Sequence, residues 1–320
     1  MPNLHKKSNC CGAKIIRFGG KRRQCTHCKK TWSVHPAKRG RKPLRKQCHY
    51  LKNVFEHGFK VKQLSVYSDL TVDTLYKRFN KSLEEIAQAE RNIEINGSKL
   101  ILVIDAEWHF FQGQLWTLYF LAIKSTNSTT VTILDPVLKQ GRENAQTWNE
   151  IFSELPVSIK KRIVVLVSDG IRGIENIAKN RGWIIQRCHF HILSKLQNMR
   201  GKRVSTPGGA IREEVYASIK ILLSETSPRR INILCRRLEY LTQEKHCPKR
   251  MRMIIRDFLR KMPEFRSYLS YPDLKIPTTV NVMESLNSFV REKAKTTNTP
   301  KSWHKWATAC ARIKSKFICK

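Results

Sequence analysis

From about residue 100 onward, the hydrophobic pattern of the chain alternates between that of buried strands and that of helices. Residues 163–167 are five apolar, mostly β-branched residues in a row, which suits a strand buried on both faces and is too short for a helix. The run ends at Asp169 and Gly170. Residues 171–179 then predict a helix, which Gly182 ends, and residues 183–185 predict a second short strand. The pattern indicates an α/β unit with a carboxylate at the tip of its strand.

Three more strand patterns precede this unit. Residues 100–105 end in Asp105, and residues 116–123 and 129–134 follow with short polar connections, so the three predict an antiparallel meander. Residues 144–155 have the pattern of an amphipathic helix. Three strands, a helix, a strand, a helix and a strand is the order of the ribonuclease-H-like fold, a mixed sheet in which the acid of the first strand lies beside the acid after the fourth. Asp105 and Asp169 occupy these two places, although Asp169 could instead simply cap the helix that follows it.

A third acid lies after a long helical segment. Residues 200–275 are basic and rich in helical pattern, and they predict an insertion in the α/β domain. Residues 277–293 then predict a capped helix with Glu284 in its early turns. Glu284 could serve only to complement the helix dipole. As the third acid after Asp105 and Asp169, it is better explained as part of a site, which Glu107 and His109 could also reach.

The region before residue 98 has a different pattern. Residues 49–94 are predicted to be helical, and residues 61–79 have the layout of a helix-turn-helix whose second helix is capped by Thr71. That helix would offer polar side chains to the major groove of DNA, namely Asp73, Thr74, Lys77 and Arg78. Any small three-helix bundle could show the same spacing. The sequence at 96–97, Asn-Gly, predicts a domain boundary.

The charge of the chain points to a polyanionic partner. The 320 residues include 61 Lys and Arg but only 25 Asp and Glu, for a formal net charge of +36, and the first 55 residues contain no acid. Nucleic acid is the simplest partner for this excess. The sequence has neither a membrane-length apolar run nor the pattern of a signal peptide, which predicts a cytoplasmic, nucleoid-associated protein that does not bind membranes. Ten cysteines in that setting predict reduced thiols and a metal site.

The first forty residues have the pattern of a zinc-binding module. Cys25 and Cys28 form a C-x-x-C pair, and Cys11 precedes Gly12 where a second pair would end, but Ser8 stands at the position of that pair's first cysteine. Three Zn²⁺ ligands are therefore predicted, with the fourth left open among Cys10, His5 and His35. The alternative is free thiols in a disordered basic arm.

A short basic segment follows this module. Residues 38–43 contain Arg39 and Arg41 around a glycine, ahead of a proline. Such a segment can lie extended in a narrow A·T minor groove, but a plain basic linker explains it equally well.

The order of these residues resembles a known family. Asp105, Asp169, the C-x-x-H pair Cys188 and His191, a helical insertion, and then N-x-x-E-S-x-N around Glu284 are similar to the DDE transposases of bacterial insertion sequences, in the Mutator-like group. The resemblance implies that the three acids bind two Mg²⁺ or Mn²⁺ ions and that Cys188 and His191 support them. It also implies cleavage and strand transfer of double-stranded DNA, with element ends and target DNA as partners and a homo-oligomer on the DNA.

The resemblance divides the chain into three parts. These are a zinc-ribbon-like module at 1–40, a basic linker and helix-turn-helix at 41–97, and a ribonuclease-H-like catalytic domain at 98–320. Two other classes of protein stay open. One is a nuclease or resolvase of the same fold that cuts without strand transfer, and the other is a non-catalytic DNA-binding protein derived from a transposase.

Overall fold

A computed structural model describes residues 8, 10–20, 22–33, 53–55, 60–68, 70–200 and 207–317. The chain divides into two compact units, Met1–Lys52 and Asn53–Lys320. None of the described helices combines the length and the apolar composition that crossing a bilayer requires.

The first unit contains a small antiparallel sheet. Its strands are β1 (Ile15–Arg17), β2 (Arg22–Cys25) and β3 (Thr31–Ser33), in that spatial order. Gly12 precedes the sheet with φ of +67°, a conformation that glycine adopts without strain. The sheet and this turn bring the cysteines at 10–11 to those at 25 and 28.

The second unit is built on a six-stranded mixed sheet. Its strands are β4 (Leu100–Phe111), β5 (Gln114–Ser125), β6 (Val131–Ile133), β7 (Val137–Gln140), β8 (Ile163–Ser168) and β9 (Ile184–Arg187). The spatial order is β6-β5-β4-β8-β9, and β7 also pairs with β5. The pairs of β4 with β5 and of β5 with β6 are antiparallel, whereas β8 is parallel to β4 and β9 to β8. This confirms the predicted α/β class and the strand order of the ribonuclease-H-like fold; β7 was not predicted, because its sequence is half polar.

Residues 53–55 are helical, and eleven further α-helices follow among the described residues. They are α1 (Val72–Gln88), α2 (Ala145–Glu154), α3 (Val157–Lys160), α4 (Ile174–Asn180), α5 (His189–Arg200), α6 (Gly209–Leu222), α7 (Pro228–Leu241), α8 (Lys249–Phe265), α9 (Ser267–Ser270), α10 (Asn281–Ala294) and α11 (Pro300–Phe317). Short 3-10 helices span Val61–Tyr67 and Pro272–Leu274.

Aromatic side chains fill the core on one face of the sheet. Trp148 and Phe152 of α2 are fully buried there. Trp148 meets the ring of Tyr119 from β5 edge-on at 4.9 Å, and Phe152 meets Trp183, just before β9, at 5.5 Å. Large buried rings contribute more stabilisation than other side chains, so these contacts fix α2 against the sheet.

The predicted helix-turn-helix segment is only partly regular. Its first helix is the 3-10 helix Val61–Tyr67, and its second is α1, which Thr71 caps by accepting a hydrogen bond from Thr74 N, as predicted. Phe79 of α1 stacks on Trp306 of α11 at 5.1 Å. This helix therefore packs on the C-terminal helix, in the same compact unit as the sheet.

The predicted helical insertion has its own core. Ile219 and Leu222 of α6 are buried against Leu238 and Leu241 of α7. Ile233 of α7 faces away from this core, since it is 57% exposed.

Arg187, at the end of β9, joins this insertion to the sheet. Its side chain is 4% exposed, and its Nε donates to Glu264 of α8 at 2.6 Å. Its other nitrogens lie 3.8 Å from Asp257 and 4.0 Å from Glu175 of α4. The guanidinium also lies against Gly170, which has φ of +89°, and a Cβ at position 170 would overlap it. The loop after Asp169 is thus packed directly on a buried guanidinium and its acidic partners.

We expect Gly170→Ala to destabilise the protein more than Gly141→Ala. Both glycines have positive φ, so alanine strains the backbone at each by about 1–2 kcal/mol. Only at position 170 does the new methyl group meet the guanidinium, whereas nothing lies within 4 Å at position 141, so Gly170→Ala should lose roughly 1–3 kcal/mol more. Denaturant unfolding of the two variants measures the difference, and equal losses would contradict this packing.

Candidate functional site

Asp105 and Asp169 lie side by side at one edge of the sheet. In the parallel pair of β4 and β8, Val103 lies opposite Val167, and each acid comes two residues later. Cys188 continues the same edge, because its backbone N–H donates to Ser168 O at 2.8 Å. The alternative in which Asp169 caps the next helix is wrong: α4 begins after Gly173, and Asp169 Oδ1 accepts a hydrogen bond from Ile171 N in the turn before it.

The carboxylate of Asp105 is buried and close to other acids. Its side chain is 7% exposed, its Oδ1 accepts from Ala106 N at 2.9 Å, and its Oδ2 accepts from Asn287 Nδ2 of α10 at 2.6 Å. Burial, and next the charge of Asp169, hold the pKa of Asp105 well above its usual range. A cation at this position would remove both penalties.

Glu143 is an acid of this site that sequence reasoning missed. It precedes α2, and its Oε1 accepts from Trp148 Nε1 at 2.7 Å. Burial raises the pKa of Glu143 to about 7, and the charge of Asp169 adds to the effect. The only signal in the sequence was an acid just before the predicted helix at 144–155, and an acid there is common at helix starts.

Glu284 lies with the C-x-x-H pair. It is in the first turn of α10, and its carboxylate, the thiol of Cys188 and the ring of His191 have ligand atoms within 4.8 Å of one another. Burial raises the pKa of the Glu284 carboxyl and raises that of Cys188 to about 11, while it lowers the pKa of His191 despite the nearby charge of Asp169. Glu284 therefore groups with Cys188 and His191, and His191 in turn lies close enough to Asp169 for that charge to affect the pKa of its ring.

Glu107 and His109 have partners elsewhere. Glu107 receives two hydrogen bonds from Arg291 of α10, at 2.8 and 2.5 Å, and His109 packs on the rings of Phe111 and Trp303. Glu107 thus ties α10 to β4 beside Asp105.

Three buried polar atoms of this group have no hydrogen-bond partner among the described residues. They are Glu284 Oε1, His191 Nδ1 and Asn287 Oδ1. Unpaired buried polar atoms are costly and uncommon, and oxygen and nitrogen atoms of this kind are ligands for metal ions. The residues present therefore fit a bound cation.

A basic cleft of about 620 Å³ opens from Asp169 towards the insertion. Besides Asp169 and Asp257, its charged lining consists of Arg187, Lys195, Arg250, Arg256 and Arg260. The last three are on the exposed side of α8. Positive charge thus flanks the acidic site on the side of the insertion.

In the first unit, four thiols converge, those of Cys10, Cys11, Cys25 and Cys28. The Sγ atoms of Cys10 and Cys28 are 3.3 Å apart, and those of Cys11 and Cys25 are 3.2 Å apart. Zinc bonds of about 2.3 Å place tetrahedral sulfurs about 3.8 Å apart, so the cluster suits one Zn²⁺ ion. Cys10 is the fourth thiol of the cluster, and Ser8 occupies the position at which the usual pair of cysteines would begin.

The residues predicted to bind DNA are partly described. Lys77 and Arg78 are exposed on α1, whereas Thr74 is half-buried and its hydroxyl lies 2.9 Å from that of Thr71, within the helix cap. The other predicted residues of the front end, which are His5, His35, Arg39 and Arg41, lie outside the described residues.

A family model described as "Transposase, Mutator family" matches residues 117–301, more than half of the chain. The match includes Asp169, Cys188, His191 and Glu284 and begins after Asp105. Among solved structures, the "Drosophila P element transposase strand transfer complex" is similar at 8% identity and a TM-score of 0.38, covering 85% of this chain and 97% of that chain. No curated protein sequence matches the chain.

The raised pKa of Glu143 predicts a pH-dependent stability in metal-free buffer. An acid whose pKa is raised by folding stabilises the folded protein below its unfolded pKa, and this stability is lost as the pH rises through the folded pKa, here from about 4.5 to about 7. Glu143→Gln keeps an acceptor for Trp148 and removes the charge. The free energy of unfolding of this variant, relative to that of the parent, should be higher at pH 8 than at pH 5 by on the order of 2 kcal/mol.

Urea unfolding at the two pH values measures this gain. Glu150→Gln, at an exposed position of α2, is the matched control and should change stability equally at both. A Glu143→Gln gain that does not depend on pH would contradict the assigned environment.

Proposed function

The chain belongs to the Mutator family of transposases, and we propose that it cuts and joins DNA strands with Asp105, Asp169 and Glu284. The observation that supports this proposal is the register that sets Asp105 beside Asp169, together with the position of Glu284 next to Cys188, whose backbone N–H donates to Ser168 O beside Asp169. Asp105 lies outside the residues matched by the family model, so its assignment rests on the register of β4 and β8.

The acids suit hard divalent cations. Mg²⁺ or Mn²⁺ held by Asp105, Asp169 and Glu284 would supply the positive charge that activates a water or a DNA hydroxyl and stabilises the leaving oxyanion. Burial, and next the charge of Asp169, raises the pKa of Asp105 and of Glu143, which supports this assignment, because a cation would relieve the cost of both effects.

Other residues of α10 would hold the acids in place. Asn287 donates to Asp105 Oδ2 and so fixes which oxygen faces away from the helix. Arg291 donates two hydrogen bonds to Glu107, which follows Asp105 by two residues on β4, and these bonds would hold α10 in place along the strand. Without a metal ion bound to it, Cys188 has a raised pKa, is a neutral thiol at neutral pH and adds no charge of its own to the group.

Double-stranded DNA is the proposed substrate. The net charge of +36 and the basic cleft beside Asp169 support binding of the phosphate backbone near the acids. Trp108 and Phe110, further along β4, are 59% and 54% exposed and offer aromatic faces to unpaired bases.

Recognition of the element ends is assigned to the front of the chain. The four-thiol cluster would hold Zn²⁺ and fix the small sheet of the first unit. In the second unit, the exposed Lys77 and Arg78 of α1 would read the major groove, as in a helix-turn-helix.

Asp169→Asn should abolish metal-dependent nicking of element-end DNA and strand transfer together. The change keeps the size of the side chain and removes the charge and the better metal ligand, while binding of DNA ends should stay near the parent's level. Asp273→Asn, at an exposed acid of the 3-10 helix Pro272–Leu274, is the matched control and should retain both activities. Cleavage of labelled DNA ends, joining to a target plasmid and gel-shift affinity are the three measurements.

The outcomes separate the classes that the sequence left open. A parent protein that nicks but never joins would be a nuclease or resolvase, and one that binds ends without cutting would be a derived DNA-binding protein. Parent-level cleavage by Asp169→Asn would reject the three-acid site itself.

Lys77→Ala or Arg78→Ala should weaken binding to element ends by roughly 1–3 kcal/mol if the side chain contacts a base edge. Lys81→Ala, one turn further along α1 and also exposed, is the matched control and should change affinity little. Titrations against end DNA and scrambled DNA at two salt concentrations measure the sequence-specific and the electrostatic contributions to binding. A loss of the same size on both DNAs would indicate phosphate contact without sequence recognition.

A further inference from the structure

The ligands around Glu284 differ in chemistry from those of the aspartate pair. Cys188 offers a sulfur, His191 a ring nitrogen and Glu284 a carboxylate oxygen. Zn²⁺ binds such mixed sets, whereas Mg²⁺ takes oxygen ligands and is not bound by thiolates. The donor set at this position therefore suits a different ion from the one that Asp105 and Asp169 suit.

Backbone hydrogen bonds hold the three ligands together. Cys188 N donates to Ser168 O at the end of β8, and His189 N donates to Thr278 O just before α10, both at 2.8 Å. The start of α5 is thus fixed between the sheet and the helix that carries Glu284. His191 follows Cys188 by three residues at the start of α5, a spacing that brings two side chains to the same side of a helix.

Two of the ligand groups are incompletely paired. Glu284 Oε1 and His191 Nδ1 are buried and have no hydrogen-bond partner among the described residues. The ligand atoms lie within 4.8 Å of one another, while tetrahedral ligands of zinc are about 3.3–3.8 Å apart, so small side-chain rotations bring them to an ion. A metal ion at this point would satisfy the unpaired atoms.

We propose that Cys188, His191 and Glu284 bind a Zn²⁺ ion, separate from the ion of the four-thiol cluster. Three protein ligands leave one coordination position open, as in zinc sites that exchange water or an anion. The ion would also bind Glu284, which the proposed function needs for Mg²⁺. The effect of this zinc ion on activity rests on the proposed function. Zinc bound here opposes Mg²⁺-dependent cleavage, because it occupies Glu284 and keeps it from binding Mg²⁺ together with the two aspartates.

The test is the zinc content of the full-length protein after zinc loading and desalting, measured by mass spectrometry. The parent should carry one zinc ion per chain more than Cys188→Ala and one more than His191→Gln. Cys235→Ala removes a half-buried thiol of the insertion and is the matched control, which should keep the parent's content. Cys25→Ser should lose the ion of the four-thiol cluster alone, and the double variant with Cys188→Ala should lose both.

Cobalt gives an independent readout. In the Cys25→Ser background, Co²⁺ should produce a thiolate-to-cobalt absorption band that disappears when Cys188→Ser is added. Melting curves establish that each variant is folded, and His191→Gln leaves the thiol intact if the cysteine variants do not fold. Equal zinc content in the parent and in folded Cys188→Ser and His191→Gln variants would overturn the proposal.

The two proposals fail in different ways. A parent protein that cuts DNA with Mg²⁺ but shows no zinc dependent on Cys188 refutes the zinc site alone. One that binds this zinc but does not cut DNA with Mg²⁺ even after the zinc has been removed refutes the proposed function alone.

Discussion

The pairing of β4 on both of its edges is the constraint on which the site depends. This strand runs antiparallel to β5 over its whole length and parallel to β8 on the other side. Asp105 therefore cannot move away from Asp169 without breaking backbone hydrogen bonds in the middle of the sheet. A rigid ladder of this kind can hold buried like charges together, at an energetic cost that a cation relieves.

The helix α10 contributes to the site through one face. Glu284, Asn287 and Arg291 are spaced by three and four residues, which places them along one side of a helix. They contact, in turn, the Cys188–His191 pair, the carboxylate of Asp105 and that of Glu107. A single rotation or shift of α10 would change all three contacts at once, so the third acid, the support of the first acid and the anchor of the helix are mechanically coupled.

The sequence predicted the sheet and its acids because β-branched runs marked the parallel strands β4 and β8, and an acid follows each run. The predicted end of the first strand at Asp105 is wrong, since β4 continues to Phe111, but the register of the two strands still sets Asp105 beside Asp169. Glu143 could not be found this way, since it lies in a loop whose position depends on how Trp148 packs.

The neighbours of Glu284 could not be found from the pattern alone either. They depend on how α5 and α10 are held by single backbone hydrogen bonds. Cys10 was only one of three choices for a fourth zinc ligand because Ser8 interrupts the usual spacing. The α/β class, by contrast, follows from hydrophobic pattern alone, and the structure confirms it.

The contact of Arg187 with Gly170 has a consequence for how such a chain can be shortened or recombined. Two of the acids that neutralise this guanidinium, Asp257 and Glu264, belong to the insertion, while Gly170 belongs to the loop that presents Asp169. A shortened protein without the insertion would leave the guanidinium of Arg187 next to that loop without these two acids. The helical insertion therefore cannot be replaced on its own. A chimeric protein that carries this insertion would also need residue 187 and its acidic partners.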